Sequence, residues 1–179
     1  MRAAIACFVE RGFHGTAVPQ IAKQAGVGAG TLYHYFPSKT ALVNEVYRAW
    51  KSTVAQRVLT AFPHDAPFRA QFGTIWQELA GLARDDPAAF AFIELHNHAS
   101  YLDAESLAID RNLKQFAGRV ISQAQEAGDL KPLDPTALME IVFGAFYGLI
   151  RAHLEGRVEL TDALIRDAEE ACWDAAAVH

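Results

Sequence analysis

The chain has 179 residues, 51% of them apolar, a formal net charge of −5 and two cysteines. The apolar content supplies ample material for a core and excludes a disordered chain, while the acidic balance alone argues against a nucleic-acid partner. Cys7 and Cys172 lie without metal-ligand spacing, which predicts free thiols in a reducing cytoplasm and neither a metal site nor a cofactor. The sequence shows no signal peptide and no apolar run of about 20 residues, so we expect no membrane segment.

Residues 1–11 form the first predicted helix, with Ile5, Phe8 and Val9 on its core-facing side. It spans about three turns, a length that is marginal for an isolated helix and therefore depends on packing. We predict that residues 1–45 form a first domain and residues 46–179 a second.

Residues 16–42 carry the most specific pattern: a short helix, a glycine turn, a second short helix and a stop. Thr16 is the predicted N-cap of the first of these helices. Gly26 suits the left-handed C-cap. Pro37 ends the second helix and Ser38 caps the next one. Apolar residues recur at helical spacing along one stripe of the first helix: Val18, Ile21, Ala22 and Ala25.

The second short helix has two predicted faces. Three residues are expected to point into the domain: Leu32, Tyr35 and Phe36. The N-cap and outward face are small or short and polar, which lets a helix enter the major groove of DNA: Gly28, Ala29, Gly30, Thr31, Tyr33 and His34. Thr31 and His34 can reach base edges. Tyr33, together with Thr16 and Lys39, is better placed for phosphates. The alternative is a plain helical hairpin.

Charge is distributed unevenly along the chain. Residues 1–57 hold seven Lys or Arg and two acidic residues, a net charge of +5. Residues 58–179 hold nine basic and nineteen acidic residues, a net charge of −10. A basic first part on an acidic remainder favours docking on DNA by the first part, although chance segregation is an alternative.

The first 50 or so residues resemble the DNA-binding signature of the TetR (tetracycline-repressor-like) family of bacterial regulators. The resemblance implies a homodimer, a palindromic operator in double-stranded DNA, and a small-molecule effector that releases the DNA. It rests on these residues: Gly12-Phe13, Thr16, Ile21-Ala22, Ala25-Gly26-Val27, Gly30-Thr31-Leu32-Tyr33, Tyr35-Phe36 and Ser38-Lys39.

Two features depart from the family pattern. The family's first helix usually begins well before this Met1, so we expect either a native chain that extends before Met1 or a short first helix. Gly28 stands where a hydroxyl side chain is common, so one phosphate contact is expected to be missing.

The remaining sequence predicts an all-α fold, with a three-helix DNA-binding head and a larger helical body for ligand binding and dimerisation. No segment alternates with period two for long enough to be a strand. The predicted helices run from Ser38 to about Ala61, over 68–84 and 88–101, from Asp103 or Ser106 to about Ala127, over 133–155, and over 161–177.

The last two predicted helices favour a dimer interface. The helix at 134–155 is apolar over most of its circumference, and Gly144 and Gly148 would let another helix approach closely. The final helix is amphipathic, with Leu160, Leu164 and Ala168 on its apolar side and acidic residues such as Glu169 mostly on the other. Paired with their symmetry mates, these helices would make a four-helix interface, although both could instead belong to a monomer core.

Aromatic and apolar residues with a few polar groups are candidates for a pocket that takes a small, mostly apolar ligand. Each of them could equally be an ordinary core residue. In the run His96-Asn97-His98, the two histidines are two positions apart. They would face different sides of a helix and cannot easily share a metal. The candidates are Trp76, Phe90, Ile93, Glu94, Tyr101, Phe116, Phe143, Tyr147 and His153.

These patterns support one main hypothesis and two alternatives. The main one is a transcriptional regulator that acts as a repressor and leaves a palindromic operator when the ligand binds. The second is a dimeric DNA-binding protein without an effector. The remote third is a helical enzyme using Glu94 and His98, but the sequence holds no nucleophile elbow, phosphate loop or metal spacing, so we expect no enzyme.

Overall fold

The computed structural model describes residues 1–95, 98 and 100–179. Within this part the protein is helical, and its only β-type pairing is an isolated antiparallel bridge between Leu130 and Ala177. The all-α prediction is confirmed. His96 and Asn97 lie outside the described residues. The helices are α1 (Arg2–Gly15), α2 (Val18–Ala25), α3 (Ala29–Tyr35), α4 (Lys39–Ala61), α5 (Phe68–Asp85), α6 (Pro87–Leu95), α7 (Ala104–Glu126), α8 (Pro135–Leu154) and α9 (Asp162–Ala176).

The chain folds into two compact units. Residues 1–53 and 86–110 form what we call the N-terminal unit, and residues 54–85 and 111–179 form the C-terminal unit. The units therefore share α4 and α7 between them, whereas the predicted boundary after residue 45 cuts the chain once. That boundary stays a prediction.

The core of the N-terminal unit forms where α1 packs against α6. Phe8 and Phe92 stack with their ring centroids 5.2 Å apart, and both side chains are buried. Val9, predicted to face the core, is 42% exposed instead. The first helix is longer than predicted and is interrupted at Gly12, whose φ of 68° is readily adopted only by glycine.

His98 and Tyr101, which precede α7, are not helical. A helix was predicted over 88–101, but α6 ends at Leu95 and Tyr101 lies in a turn. His98 is 5% exposed and bonds through both ring nitrogens, one to the Phe92 carbonyl and the other to the Tyr101 hydroxyl. At His98 and Tyr101, tertiary contacts thus replace the helix that the local pattern favoured.

The C-terminal unit is built from aromatic contacts among α5, α8 and α9. Trp76 meets Phe146 edge to face at 5.0 Å, and its indole Nε1 donates to the Ile165 carbonyl at 3.0 Å. Glu169, predicted on a polar face, is buried and accepts from Arg69 Nη1 at 2.6 Å. The prediction for Glu169 was wrong because the periodicity of a helix carries no information about a basic partner 100 residues away in sequence.

Candidate DNA-binding surface and ligand cavity

Local chemistry fixes the α2–turn–α3 segment. Gly26 adopts the left-handed conformation (φ 70°) as the C-cap of α2, as predicted. The N-cap of α2 is Ala17 rather than Thr16, and the Gln20 side chain accepts from the Ala17 backbone N–H at 2.9 Å. Ser38 Oγ accepts from the Ala41 N–H at 3.0 Å, which confirms the predicted cap of α4.

A buried thiol ties α2 to α1. Cys7 Sγ donates to Gln24 Oε1 at 2.9 Å. Burial raises the pKa of the Cys7 thiol, and the nearby Arg11 guanidinium offsets this in part. The thiol therefore stays protonated at neutral pH and keeps its hydrogen atom for this bond.

The helix α3 is the most exposed element of the N-terminal unit, and none of its residues is buried. Thr31 and His34 are exposed, as a probe of DNA requires, and Tyr33 is 47% exposed. Gly28 and Gly30 are exposed and Ala29 is half-buried. Tyr35 was predicted to face the core and is 71% exposed, so that prediction was wrong.

Thr16 and Lys39 hold the fold together at the end of α1. Thr16 is 2% exposed, and its hydroxyl lies 3.0 Å from the Cys7 carbonyl and 2.8 Å from the Gly12 carbonyl. Burial takes this hydroxyl away from any phosphate, which corrects the predicted role of its side chain. Lys39 Nζ donates to the Phe13 carbonyl at 2.6 Å and to the Thr16 carbonyl at 2.9 Å.

A Thr16→Val variant is expected to lose stability while its DNA affinity is unchanged. Valine keeps the shape but leaves buried carbonyls without their donor, at a cost of about 1–3 kcal/mol in the free energy of unfolding. Urea unfolding measures the loss, and Thr16→Ser, which keeps the hydroxyl, is the control. If fully folded Thr16→Val bound DNA more weakly, the result would support the predicted direct contact between the Thr16 hydroxyl and a phosphate.

An open groove lies beside α3 within the N-terminal unit, with an empty volume of about 910 Å³ that includes space open to solvent. Its walls come from the end of α1, the start of α2, Tyr33 of α3 and the start of α4. The helix starts contribute partial positive charge and backbone N–H groups, which suit a phosphate. Several groove residues were not predicted from the sequence, because nothing in their local pattern marks them: His14, Gln20 and Pro37.

The C-terminal unit contains an apolar cavity. Its empty volume is about 640 Å³, which includes space open to solvent. Every lining side chain is a hydrocarbon apart from the Met139 thioether and the Trp76 indole, whose N–H already bonds Ile165. The aromatic part of the wall consists of Phe68, Phe72, Trp76, Phe143 and Phe146.

Of the nine predicted ligand residues, the cavity brings together Trp76 and Phe143. Phe116, Tyr147 and His153 belong to the same unit but do not line it. Phe116 packs on Phe62 (5.5 Å), and His153 Nδ1 accepts from the Leu160 N–H at 3.3 Å.

The other four predicted ligand residues belong to the N-terminal unit, which corrects their assignment. Phe90 and Ile93 are buried in its core. Glu94 accepts from Trp50 Nε1 at 3.0 Å and from Lys51 Nζ at 2.8 Å. Tyr101 stacks on the Phe13 ring. Apolar residues at helical spacing look alike in sequence, whether they line a cavity or fill a core.

The predicted dimer residues differ in their exposure. Gly144 and Gly148 are exposed on α8, and a Cβ added at either would meet nothing within 4 Å. Leu164 and Ala168 of α9 are half-buried. Leu160 is 8% exposed, so its side chain packs inside its own unit and cannot line an interface.

Comparison with known proteins decides the family. Residues 1–46 match the model for bacterial regulatory proteins of the tetR family, and residues 47–178 match the tetracyclin repressor-like C-terminal domain. The chain belongs to the TetR family. This TetR-family protein is similar to the HTH-type transcriptional regulator RutR of Escherichia coli O157:H7, with 33% identity over 152 residues, 81% of this chain and 69% of RutR.

Solved structures agree. A TetR family transcription regulator from Marinobacter aquaeolei VT8 aligns with a TM-score of 0.87 and 27% identity over 99% of this chain and 93% of that one. The regulator FadR from Bacillus subtilis, solved with stearoyl-CoA, aligns with a TM-score of 0.79 and 20% identity over 99% and 97%, which shows a shared fold. The TetR-family protein is thus a DNA-binding transcriptional regulator, as the sequence predicted.

Proposed function

We propose that this TetR-family regulator is a cytoplasmic homodimeric repressor that binds a palindromic operator through α3 and leaves it when a small apolar ligand fills the C-terminal cavity. The observation that carries the DNA contact is the exposure of α3 beside a groove with two helix starts. Selection of bound sites from a random pool of duplex DNA tests the DNA contact and the two-fold symmetry of the dimer.

In the proposed complex, α3 enters the major groove and the groove beside it receives the phosphate backbone. Thr31 and His34 read base edges, and Ala29 and Gly30 let the helix approach closely. Tyr33 contributes its hydroxyl to a phosphate. Lys39 has three N–H donors, of which two hold carbonyls, so its charge and remaining N–H serve a phosphate.

A His34→Ala variant is expected to relax base preference at one position of each half-site by about tenfold, the discrimination typical of one good base contact. Its affinity for unrelated DNA should change little. Tyr33→Phe is the matched comparison, because a lost phosphate contact weakens all sequences alike. Sequencing of bound pools measures both. Equal weakening of every sequence by His34→Ala would place His34 on the backbone instead.

The exposed face of α8 supports the dimer. An 18-residue window of this helix has a mean hydropathy of 1.3, yet only 28% of the window is buried. By length and composition alone α8 could cross a membrane, a criterion that core helices also meet. Its exposed stripe runs through uncharged, mostly small residues: Ile141, Gly144, Ala145 and Gly148.

Charges at the two ends of this stripe favour a second copy of the chain as the partner. Glu140 and Arg151 are exposed on the same side of α8. An antiparallel pair of α8 helices with its two-fold axis near Gly144 and Gly148 would place Glu140 opposite Arg151 of the second copy. The surface is therefore self-complementary, as a two-fold interface requires. In a lipid bilayer, by contrast, the charges of Glu140 and Arg151 would be buried at a cost in free energy.

The composition of the cavity supports an apolar effector. A polar group buried there would lose its hydrogen bonds to water and gain none, at a cost of about 1–3 kcal/mol. FadR of Bacillus subtilis, which shares the fold, was solved with stearoyl-CoA, a molecule with a long hydrocarbon chain. To act as an effector, the ligand must favour the released form by several kcal/mol.

An effector-independent DNA-binding dimer remains the rival proposal, and the cavity argues against it.

Catalysis by Glu94 and His98 has no support from their surroundings. Glu94 is bonded to Trp50 and Lys51, while both His98 nitrogens bond Phe92 and Tyr101. Both side chains hold the core together rather than face a substrate.

A further inference from the structure

Tyr101, which lies just before α7, packs against the DNA-binding end of the N-terminal unit. Its ring stacks on Phe13, with centroids 4.1 Å apart and planes inclined by 16°. Phe13 lies at the end of α1, just after the break at Gly12. The sequence predicted Tyr101 as a ligand-binding residue, but in the structure its ring contacts Phe13.

Phe13 in turn holds Lys39. The ammonium of Lys39 lies 4.4 Å from the centroid of the Phe13 ring and donates to the Phe13 carbonyl. A cation over an aromatic face is attracted by the ring quadrupole. Because Lys39 lines the groove beside α3, the place of its charge there depends on where Phe13 lies.

The backbone around Tyr101 is itself fixed on α4. Asn44 is 1% exposed, donates through Nδ2 to the Tyr101 carbonyl at 2.9 Å, and accepts at Oδ1 from the Asp103 N–H at 2.8 Å. A buried amide with these partners fixes the backbone at Tyr101 and Asp103. Arg48, one turn further along α4, pairs with Asp103 at 2.9 Å.

The side chain of Tyr101 is fixed as well. His98 Nε2 lies 2.6 Å from the Phe92 carbonyl and must donate to it, so in the neutral ring Nδ1 accepts from the Tyr101 hydroxyl. The ring of Tyr101 is thus held from its backbone and from its hydroxyl, and its face remains against Phe13.

We propose that Tyr101 is a positioning residue for DNA binding, which touches no DNA but braces Phe13 and thereby sets where the Lys39 ammonium meets a phosphate. The inference rests on the proposed DNA contact of Lys39. It makes Tyr101 a part of the operator-binding machinery, although Tyr101 lies far in sequence from α3.

A double-mutant cycle between Tyr101→Leu and Lys39→Met tests this. Lys39→Met should weaken operator binding about tenfold and lower the salt slope by about one. Tyr101→Leu should weaken binding about three- to tenfold with a reduced slope, and should cause no further loss in the Lys39→Met background. Tyr101→Phe keeps the ring and should stay within about twofold of wild type.

Unfolding curves identify variants that are folded at the assay temperature, and Phe13→Leu removes the other ring of the stack if Tyr101→Leu does not fold. Phe62→Leu, which breaks the Phe62–Phe116 ring pair in the C-terminal unit, is the matched control and should leave operator affinity unchanged. Additive losses in the cycle, or no loss with Tyr101→Leu, would overturn the inference. A wild-type protein that selects no DNA would overturn the proposed function instead.

Discussion

A Gly148→Glu variant is expected to be monomeric and to bind its operator about 100-fold or more weakly, because linked recognition helices gain affinity by acting together. Gly148 lies on the exposed α8 stripe, where a Cβ meets nothing within 4 Å, so the chain itself accepts the change. In a two-fold dimer the new carboxylates would lie close together with like charge. Sedimentation and operator titration measure the two effects.

Gly118→Glu is the matched control. Gly118 is also a helical glycine with open space around its Cβ position, and the substitution changes the net charge equally. It should remain dimeric with unchanged operator affinity. A dimeric Gly148→Glu protein with normal operator binding would show that α8 does not form the interface.

The second large effect concerns the cavity. Decanol, a small apolar ligand, at 100 times its dissociation constant should stabilise the wild-type protein by about 2.7 kcal/mol and raise its Tm by about 5–10 °C. Ala117 lines the cavity, and Ala117→Phe adds a ring to that space. The variant should bind operator normally yet show neither the Tm rise nor ligand-induced release.

Ala70→Phe controls for the added ring, since Ala70 is exposed on α5 and does not line the cavity. It should respond to the ligand as the wild type does. Ala117→Leu adds a smaller group and should give a partial response, which keeps the test informative where the larger ring overfills the cavity. An unchanged ligand response in folded Ala117→Phe would move the effector site elsewhere, and no response of the wild type to decanol would contradict the apolar effector.

Local sequence chemistry sufficed for the glycine turn after α2 and for the cap of α4, although not for the N-cap of α2. The left-handed Gly26 and the Ser38 cap depend on backbone preferences of a few neighbouring residues, so they were predictable. The exposure of Thr31 and His34 followed from the apolar stripe on the opposite side of the segment. Tyr35 shows the limit, because an aromatic residue at helical spacing is not always buried.

Long-range partners were not predictable. Thr16 bonds carbonyls of α1, Glu169 pairs with Arg69, and Tyr101 stacks on Phe13, all through contacts that periodicity does not encode. The cavity is a similar case. Trp76 and Phe143 line it and Phe90 does not, although all three occur in apolar helical patterns. Which of them meet is decided by how helices pack.

Selection of bound sites from a random pool of duplex DNA tests the central claim, that α3 enters the major groove as one of a symmetric pair. The wild-type protein should enrich a palindrome whose half-sites are separated by about 34–36 Å or a multiple of it. Pools selected with His34→Ala should keep the palindrome and lose preference at one position in each half. No enrichment, or a single unrepeated site that is identical for wild type and His34→Ala, would contradict the account.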